Sequence, residues 1–317
     1  MESNRSLRDY LLIAVKGMAM GAADVVPGVS GGTIALITGI YNELLHSLRN
    51  CGPATLPILF KQGFPAAWKH INGFFLLAVF GGILISIKTF ASVISYCLEN
   101  YPLLVWGFFS GLITASVILL AKTQSGWKWQ HFLWCVLGVA VVVGISVAKP
   151  AQLPGEPWVL FFGGFIAICA MILPGISGSF ILLLLGLYSV FLQAINNMDV
   201  IAIACFGAGC ISGLLVFSRF LSWLLDTYYT PTMALLIGFL IGSLNVTWPW
   251  KHVLETVTDR HGDLIPVVQK NVLPWDYSAI TGQNSQLLYV ILCVALGVAL
   301  VLLTEFVARS LMSDSSN

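Results

Sequence analysis

The 317-residue chain is 58% hydrophobic and only 9% charged, and its formal net charge is +1. A soluble domain carries roughly 25% charged residues, so this composition excludes an ordinary water-soluble fold and makes lipid the main solvent. The balanced charge also argues against a nucleic-acid partner.

From the N-terminus, Arg5 and Arg8 precede a short apolar stretch, Leu11–Val15, in the manner of a signal peptide. Lys16 interrupts it too early, so no cleavage is expected. The segment Gly21-Ala-Ala-Asp24-Val-Val-Pro27-Gly28-Val-Ser30-Gly31-Gly32-Thr33 follows. It cannot be an ordinary helix, because Pro27 removes a backbone donor and clashes with the preceding turn. Gly28, Gly31 and Gly32 permit tight backbone, and a helix resumes over Thr33–Leu48 with Ser30 or Thr33 as its N-cap. Residues 53–68 are amphipathic and proline-bounded, which suits the membrane interface. The apolar runs Ile71–Leu98, Pro102–Ala121 and Phe132–Ala148 then approach or exceed the ~20 residues that cross a bilayer as a helix.

A second break, Pro174-Gly175-Ile-Ser177-Gly178-Ser179, lies within residues 157–198. The runs Val200–Leu225, Pro231–Val246 and Leu287–Val307 read as further spans, separated by a polar loop, 249–286. Trp248, Trp250 and Trp275 around that loop are expected as interfacial anchors. The seven cysteines show no metal-type spacing and read as small packing residues; the five histidines read as interfacial or loop residues. No metal site and no cofactor is expected.

The two breaks belong to a repeat. Residues 27–41, PGVSGGTIALITGIY, and 174–188, PGISGSFILLLLGLY, align at an offset of 147 with eight of fifteen positions identical. Shared Leu and Ile would follow from composition; shared Pro, Gly, Ser and Tyr in register would not. Gly107-Phe-Phe-Ser-Gly111 likewise matches Gly238-Phe-Leu-Ile-Gly242, and Lys88 and Arg219 each lie nineteen residues before the first of those glycines. The fold expected is an all-α polytopic membrane protein. It is an inverted repeat, 1–150 and 151–317, with two re-entrant or broken helical hairpins (motifs in 21–48 and 157–198) and about six full transmembrane spans. An odd number of crossings per half makes the second half enter from the opposite face. Loop arginines and lysines place the N-terminus in the cytoplasm.

Broken backbone at membrane depth is tolerated only where protein or a water-filled cavity satisfies it. Each restarted helix offers free N–H groups beside serine hydroxyls, a setting for an anion such as phosphate. The candidate phosphate-binding residues are Gly28, Ser30, Gly31, Gly32, Thr33, Gly175, Ser177, Gly178 and Ser179, with Lys88 and Arg219 as cations, and Pro27 and Pro174 as the structural breaks. The bland alternative is a packing device of glycines and a proline kink. Asp24, costly at this depth, is a candidate for proton or sodium coupling, with Glu43 as a second such site; the bland alternative is an acidic cap on freed N–H groups. Lys88 and Arg219 can instead snorkel to the headgroups.

DVVPGVSGGTIALITGIY together with ILPGISGSFILLLLGLY resembles the bacterial polyprenyl-phosphate transporter family, PopT, over nearly the whole chain. The resemblance implies a multi-pass protein of the bacterial cytoplasmic membrane. Its partner would be a polyprenyl-phosphate lipid, with undecaprenyl phosphate, the carrier of cell-envelope sugars, returned toward the cytoplasmic leaflet. From the residues alone, a small-anion or ion-coupled solute transporter would use the same site chemistry. A fainter likeness links Asp24-x-x-Pro27-x-x-Ser30 to membrane undecaprenyl-pyrophosphate phosphatases. Thr33 stands where that pattern places His, which weakens a hydrolytic reading.

Overall fold

The computed structural model describes residues 5–24, 30–124, 126–148, 151, 153–258 and 264–314. Pro27 and Gly28 therefore lie outside the described residues. The chain is an all-α polytopic membrane protein. The first half runs α1 (Leu7–Asp24), α2 (Gly31–Ile37), α3 (Tyr41–Asn50), α4 (Thr55–Gln62), α5 (Phe64–His70), α6 (Gly73–Asn100), α7 (Pro102–Thr123) and α8 (Trp129–Ser146). The second runs α9 (Pro157–Ile172), α10 (Gly178–Leu184), α11 (Tyr188–Asn196), α12 (Val200–Thr227), α13 (Tyr229–Val246), strands β1 (Lys251–Thr258) and β2 (Leu264–Asn271), α14 (Pro274–Thr281) and α15 (Leu287–Asp314). The repeat is thus visible as structure: α2 and α10 are both seven residues long, and α6 and α12 both twenty-eight. Among the described residues four helices are long and apolar enough to cross a membrane, or six if each bent pair, α5 with α6 and α10 with α11, is one span.

By its contacts the chain forms two compact units, and each draws on both halves of the sequence. One comprises Met1–Ile94 with Lys149–Thr232, the other Ser95–Ala148 with Met233–Asn317. The first unit holds both broken hairpins. In it α1 packs on α6 and α9 on α12, backbone against backbone. A Cβ at Gly17 would lie 2.3 Å from Val79 O, and one at Gly21 2.7 Å from Ile83 O. One at Gly209 would lie 1.9 Å from Phe161 O, and one at Gly213 2.7 Å from Phe165 O. In each pair the partner advances four residues as the glycine does, so the helices run parallel. Val159, Leu160, Ala167, Leu182 and Leu187 form a buried cluster beneath the second hairpin.

In the second unit Gly238 meets Cys135 O and Gly242 meets Val139, while Asn245 Nδ2 donates to Ser146 Oγ at 2.8 Å. α13 and α8 are therefore parallel. The link between α7 and α8 is residues 124–128, which cannot reach back along the ~33 Å of a 22-residue helix. In a membrane, α8 must then return across the bilayer antiparallel to α7. α13 accordingly runs opposite to α7, its counterpart in the repeat, as an inverted repeat requires.

The segment expected as a polar loop contains structure. β1 and β2 pair antiparallel, with Lys251 opposite Asn271 and Thr258 opposite Leu264. Trp250 is 6% exposed rather than displayed as an interfacial anchor, and its Nε1 donates to Ser285 O at 2.8 Å. Trp248 Nε1 donates to Val272 O at 2.9 Å, so both indoles fasten the hairpin. Trp275 remains exposed.

Candidate functional site

The first break is built from α1 and α2. Ser30 is the N-cap of α2, with extended backbone, and its Oγ accepts from Gly32 N at 3.1 Å. Asp24, the last residue of α1, accepts from Gly31 N through Oδ1 at 2.6 Å. Thr33 N donates to Ser30 O at 2.9 Å, so three of the four donors that any helix start leaves unpaired are taken by the protein's own oxygens. At the other end, Gly39 has φ +74°, and Ile40 N donates to Ala35 O at 3.0 Å, a left-handed glycine stop. Lys16 Nζ donates to Thr38 O at 2.8 Å. Lys16 and Asp24 are eight residues apart, roughly 12 Å along α1, which matches the ~10 Å of α2. One helix therefore carries both the cation and the anion that suit the two ends of the other's dipole.

The second break repeats the backbone without the charges. Gly186 has φ +71°, and Leu187 N donates to Leu182 O at 2.9 Å. At the offset of 147, Lys16 and Asp24 become Gly163 and Met171. Ser177 is the N-cap of α10 but makes no capping bond; its Oγ lies 2.9 Å from Ser179 Oγ, the two hydroxyls paired with one another. Gly178 sits on Ala167 O, where a Cβ would be 2.6 Å away. Gly175, at φ +82°, makes the turn that Pro174 begins.

The two breaks meet. The end of α9 leaves its last carbonyls without helix partners, and the first hairpin supplies them. Ser30 Oγ donates to Met171 O at 2.9 Å, with Leu173 O at 3.2 Å. Tyr41 Oη donates to Ile172 O at 3.1 Å. Thr33 Oγ1 accepts from Gly175 N at 2.9 Å. Gly32 permits the approach, since a Cβ there would lie 2.5 Å from Ile172 O. Ser30, Thr33 and Tyr41 are 0%, 1% and 2% exposed. Of the residues expected at the site, the structure thus brings together Asp24, Ser30, Gly31, Gly32, Thr33 and Gly175, with Ser177, Gly178 and Ser179 just beyond. Lys16 and Tyr41 were not among them. Lys16 carries a signal, a lysine inside an apolar run, and Tyr41 is one of the identities in the repeat.

The remaining charged candidates lie elsewhere. Glu43, at the start of α3, is held bidentately by Arg5, at 2.5 Å and 2.8 Å, and accepts from Asn72 Nδ2 at 2.7 Å. That carboxylate raises the Arg5 guanidinium above its ordinary range. Arg219 on α12 lies against Gly52, beyond the far end of α3 from Tyr41. Lys88 is exposed on α6. Among the described residues, no group of three or more His, Cys, Asp or Glu is placed to hold a metal ion. Beside the second hairpin a groove of about 250 Å³, lined by Leu153, Pro154, Trp158, Phe162, Ile166 and Leu185, is almost wholly apolar.

Comparison with known proteins finds relatives over most of the chain. The chain is 45% identical to a polyprenyl-phosphate transporter of Vibrio cholerae serotype O1 over 294 residues, 93% of this chain and 96% of that one. It is 32% identical to a polyprenyl-phosphate transporter of Staphylococcus aureus over 253 residues, 74% of this chain and 85% of that one. No solved structure matches it. Residues 20–265, which include both breaks, match the undecaprenyl phosphate translocase-like family, and the chain belongs to that family.

Proposed function

We propose that this protein carries undecaprenyl phosphate across the bacterial cytoplasmic membrane, returning the lipid carrier toward the cytoplasmic leaflet. The observation that carries the reading is the contact of two repeat-related helix breaks, Ser30–Thr33 against Met171–Gly175, in a chain of this family. Transporters built from inverted repeats place their sites where such broken helices meet near the midplane. The phosphate would bind at the second break, whose Ser177 and Ser179 hydroxyls are, among the described residues, engaged only with each other. Hydroxyl and amide donors suit an anion there, while the isoprenoid tail stays in lipid, along apolar surfaces such as the groove beside Trp158 and Phe162.

The first break already holds an anion, the Asp24 carboxylate on Gly31 N. A phosphate arriving beside it would be repelled unless that charge is neutralised. Proton or sodium uptake at Asp24 would therefore accompany substrate binding and tie movement to an ion gradient; Glu43, already held by Arg5 and Asn72, takes no part in that step. Excess arginine and lysine in Arg5, Arg8, Arg49, Lys61, Lys69, Lys122 and Lys128 puts the N-terminus in the cytoplasm. We assign no hydrolytic step, since the Ser30 hydroxyl donates to a backbone carbonyl rather than to a base.

Purified protein in liposomes should change the leaflet distribution of a labelled undecaprenyl phosphate, and an imposed pH or sodium gradient should alter its rate. Movement no faster than in empty liposomes, with every gradient tried, would refute the reading. Native gradient dependence in Asp24→Asn would leave transport standing and remove Asp24 from coupling. Saturable uptake of a water-soluble anion, unaffected by the lipid, would assign the site to a small-anion transporter.

A further inference from the structure

Away from the helix breaks, α3 and α12 carry a second polar cluster between them. Asp226 on α12 accepts from Arg49 Nη1 at 2.9 Å and lies 3.0 Å from His46 Nε2, both on α3. Arg219, Ser222 and Asp226 stand at i, i+3 and i+7, which puts them on one stripe of α12. The Arg219 guanidinium is half-buried, and among the described residues it makes no hydrogen bond or ion pair. The room for it is specific: a Cβ at Gly52 would lie 1.5 Å from its Nη2. Ser222 Oγ is fully buried and has no hydrogen-bond partner among the described residues. The cluster thus contains two arginines and one carboxylate, and the guanidinium of Arg219 is unsatisfied and reachable while the Ser222 hydroxyl is sealed beneath it.

We propose that this α3–α12 cluster is a second phosphate station, taking the phosphate monoester of the lipid before or after it occupies the helix breaks. The proposal rests on the transport reading above for the source of the phosphate, not for the existence of the site. Phosphate complements what is missing. Two of its oxygens match the fork of Arg219. Arg49 is the next donor once Asp226 yields, and Asp226 is 47% exposed and has water to turn to. Asp226 is then the built-in competitor that keeps the station closed to weaker anions. The two stations share a wall: Tyr41 begins α3 at the break, and Arg49 follows eight residues later, roughly 12 Å along the same helix.

The test uses the full chain in nanodiscs, with farnesyl phosphate and inorganic phosphate as separate probes in a binding titration. Arg219→Gln should weaken farnesyl phosphate about tenfold, the size of effect typical of a lost charged hydrogen-bonding partner, with part of it retained in Arg219→Lys. Asp226→Asn should tighten it about threefold or more, since the competitor is gone; a merely unfolded variant cannot gain affinity. The same pair of shifts with inorganic phosphate, without competition by farnesyl phosphate, would support the site and overturn its lipid source. Unchanged binding of both probes in Arg219→Gln and Asp226→Asn overturns the station, and if the parent still moves the lipid in liposomes the transport reading stands without it. A parent that binds phosphate through Arg219 yet moves no lipid would overturn transport and leave the site.

Discussion

Lys16 and Asp24 lie two turns apart on α1 and hold opposite ends of α2, the lysine on Thr38 O and the carboxylate on Gly31 N. A seven-residue helix has little stability of its own, so this bracket fixes where it starts and stops. Lys16→Met should lower the stability of purified protein by about 1 kcal/mol, the scale of a charge at a helix end. Asp24→Ala should cost more than Asp24→Asn, because the amide oxygen still accepts from Gly31 N. Thermal unfolding in detergent measures both, and equal losses in Asn and Ala would remove the capping role.

The Thr33–Gly175 bond joins the breaks with a single buried hydroxyl. Thr33→Val keeps the shape and strands the Gly175 amide, at a cost of about 1–3 kcal/mol. Thr33→Ser restores an acceptor and should recover most of it. If valine and serine behave alike in thermal unfolding, the bond contributes nothing.

Gly209 tests the close contact of α9 and α12. An alanine there would place Cβ 1.9 Å from Phe161 O. Backbone cannot rotate away as a side chain can, so the helices must separate, at a cost of about 1–3 kcal/mol or more. Gly209→Ala should lower folded yield and melting temperature, whereas Gly207→Ala, with nothing near its Cβ, should not.

Lys251 follows α13 and lies outside the spans. Its ammonium donates to Val246 O and sits 4.3 Å above the Trp106 ring. Burial nevertheless pushes its pKa down to about 8. The folded protein then releases this proton at a lower pH than the unfolded chain, whose lysine holds it to ~10.4. Stability from this group should therefore rise as pH climbs from 8 toward 10. The readout is the difference in melting temperature between native protein and Lys251→Met across that range; a constant difference would show that the lysine stays charged throughout.

Much of this architecture was legible in the chain. Long apolar runs announce the spans, and Pro and Gly in register announce the paired breaks, because little else satisfies backbone at that depth. The asymmetry at the breaks was half legible: Asp24 has no acidic counterpart, but its bond to Gly31 depends on how α1 lies along α2. The bonds of Ser30 and Tyr41 to Met171 and Ile172 were hidden, since residues some 130–140 positions apart leave no local pattern. Arg219 was visible as a cation in an apolar run, yet its place beside Gly52 is set by the packing of α3 on α12. The β1–β2 hairpin does not announce itself in the sequence, because Pro266 and the ladder's two irregularities obscure its alternation.

The interleaving of the two units constrains how the protein is made. The unit that contains the first hairpin needs residues 149–232 to complete it, so early in synthesis α1–α6 sit in the membrane without the helices they will pack against. The carbonyls that Ser30 and Tyr41 will engage have not yet been translated. The first hairpin must wait as a marginal, partly open element until α9 arrives, and the second half acts as its folding partner in cis. A chain cut between α8 and α9 should give two fragments that are each degraded when expressed alone, and that rescue one another when made together.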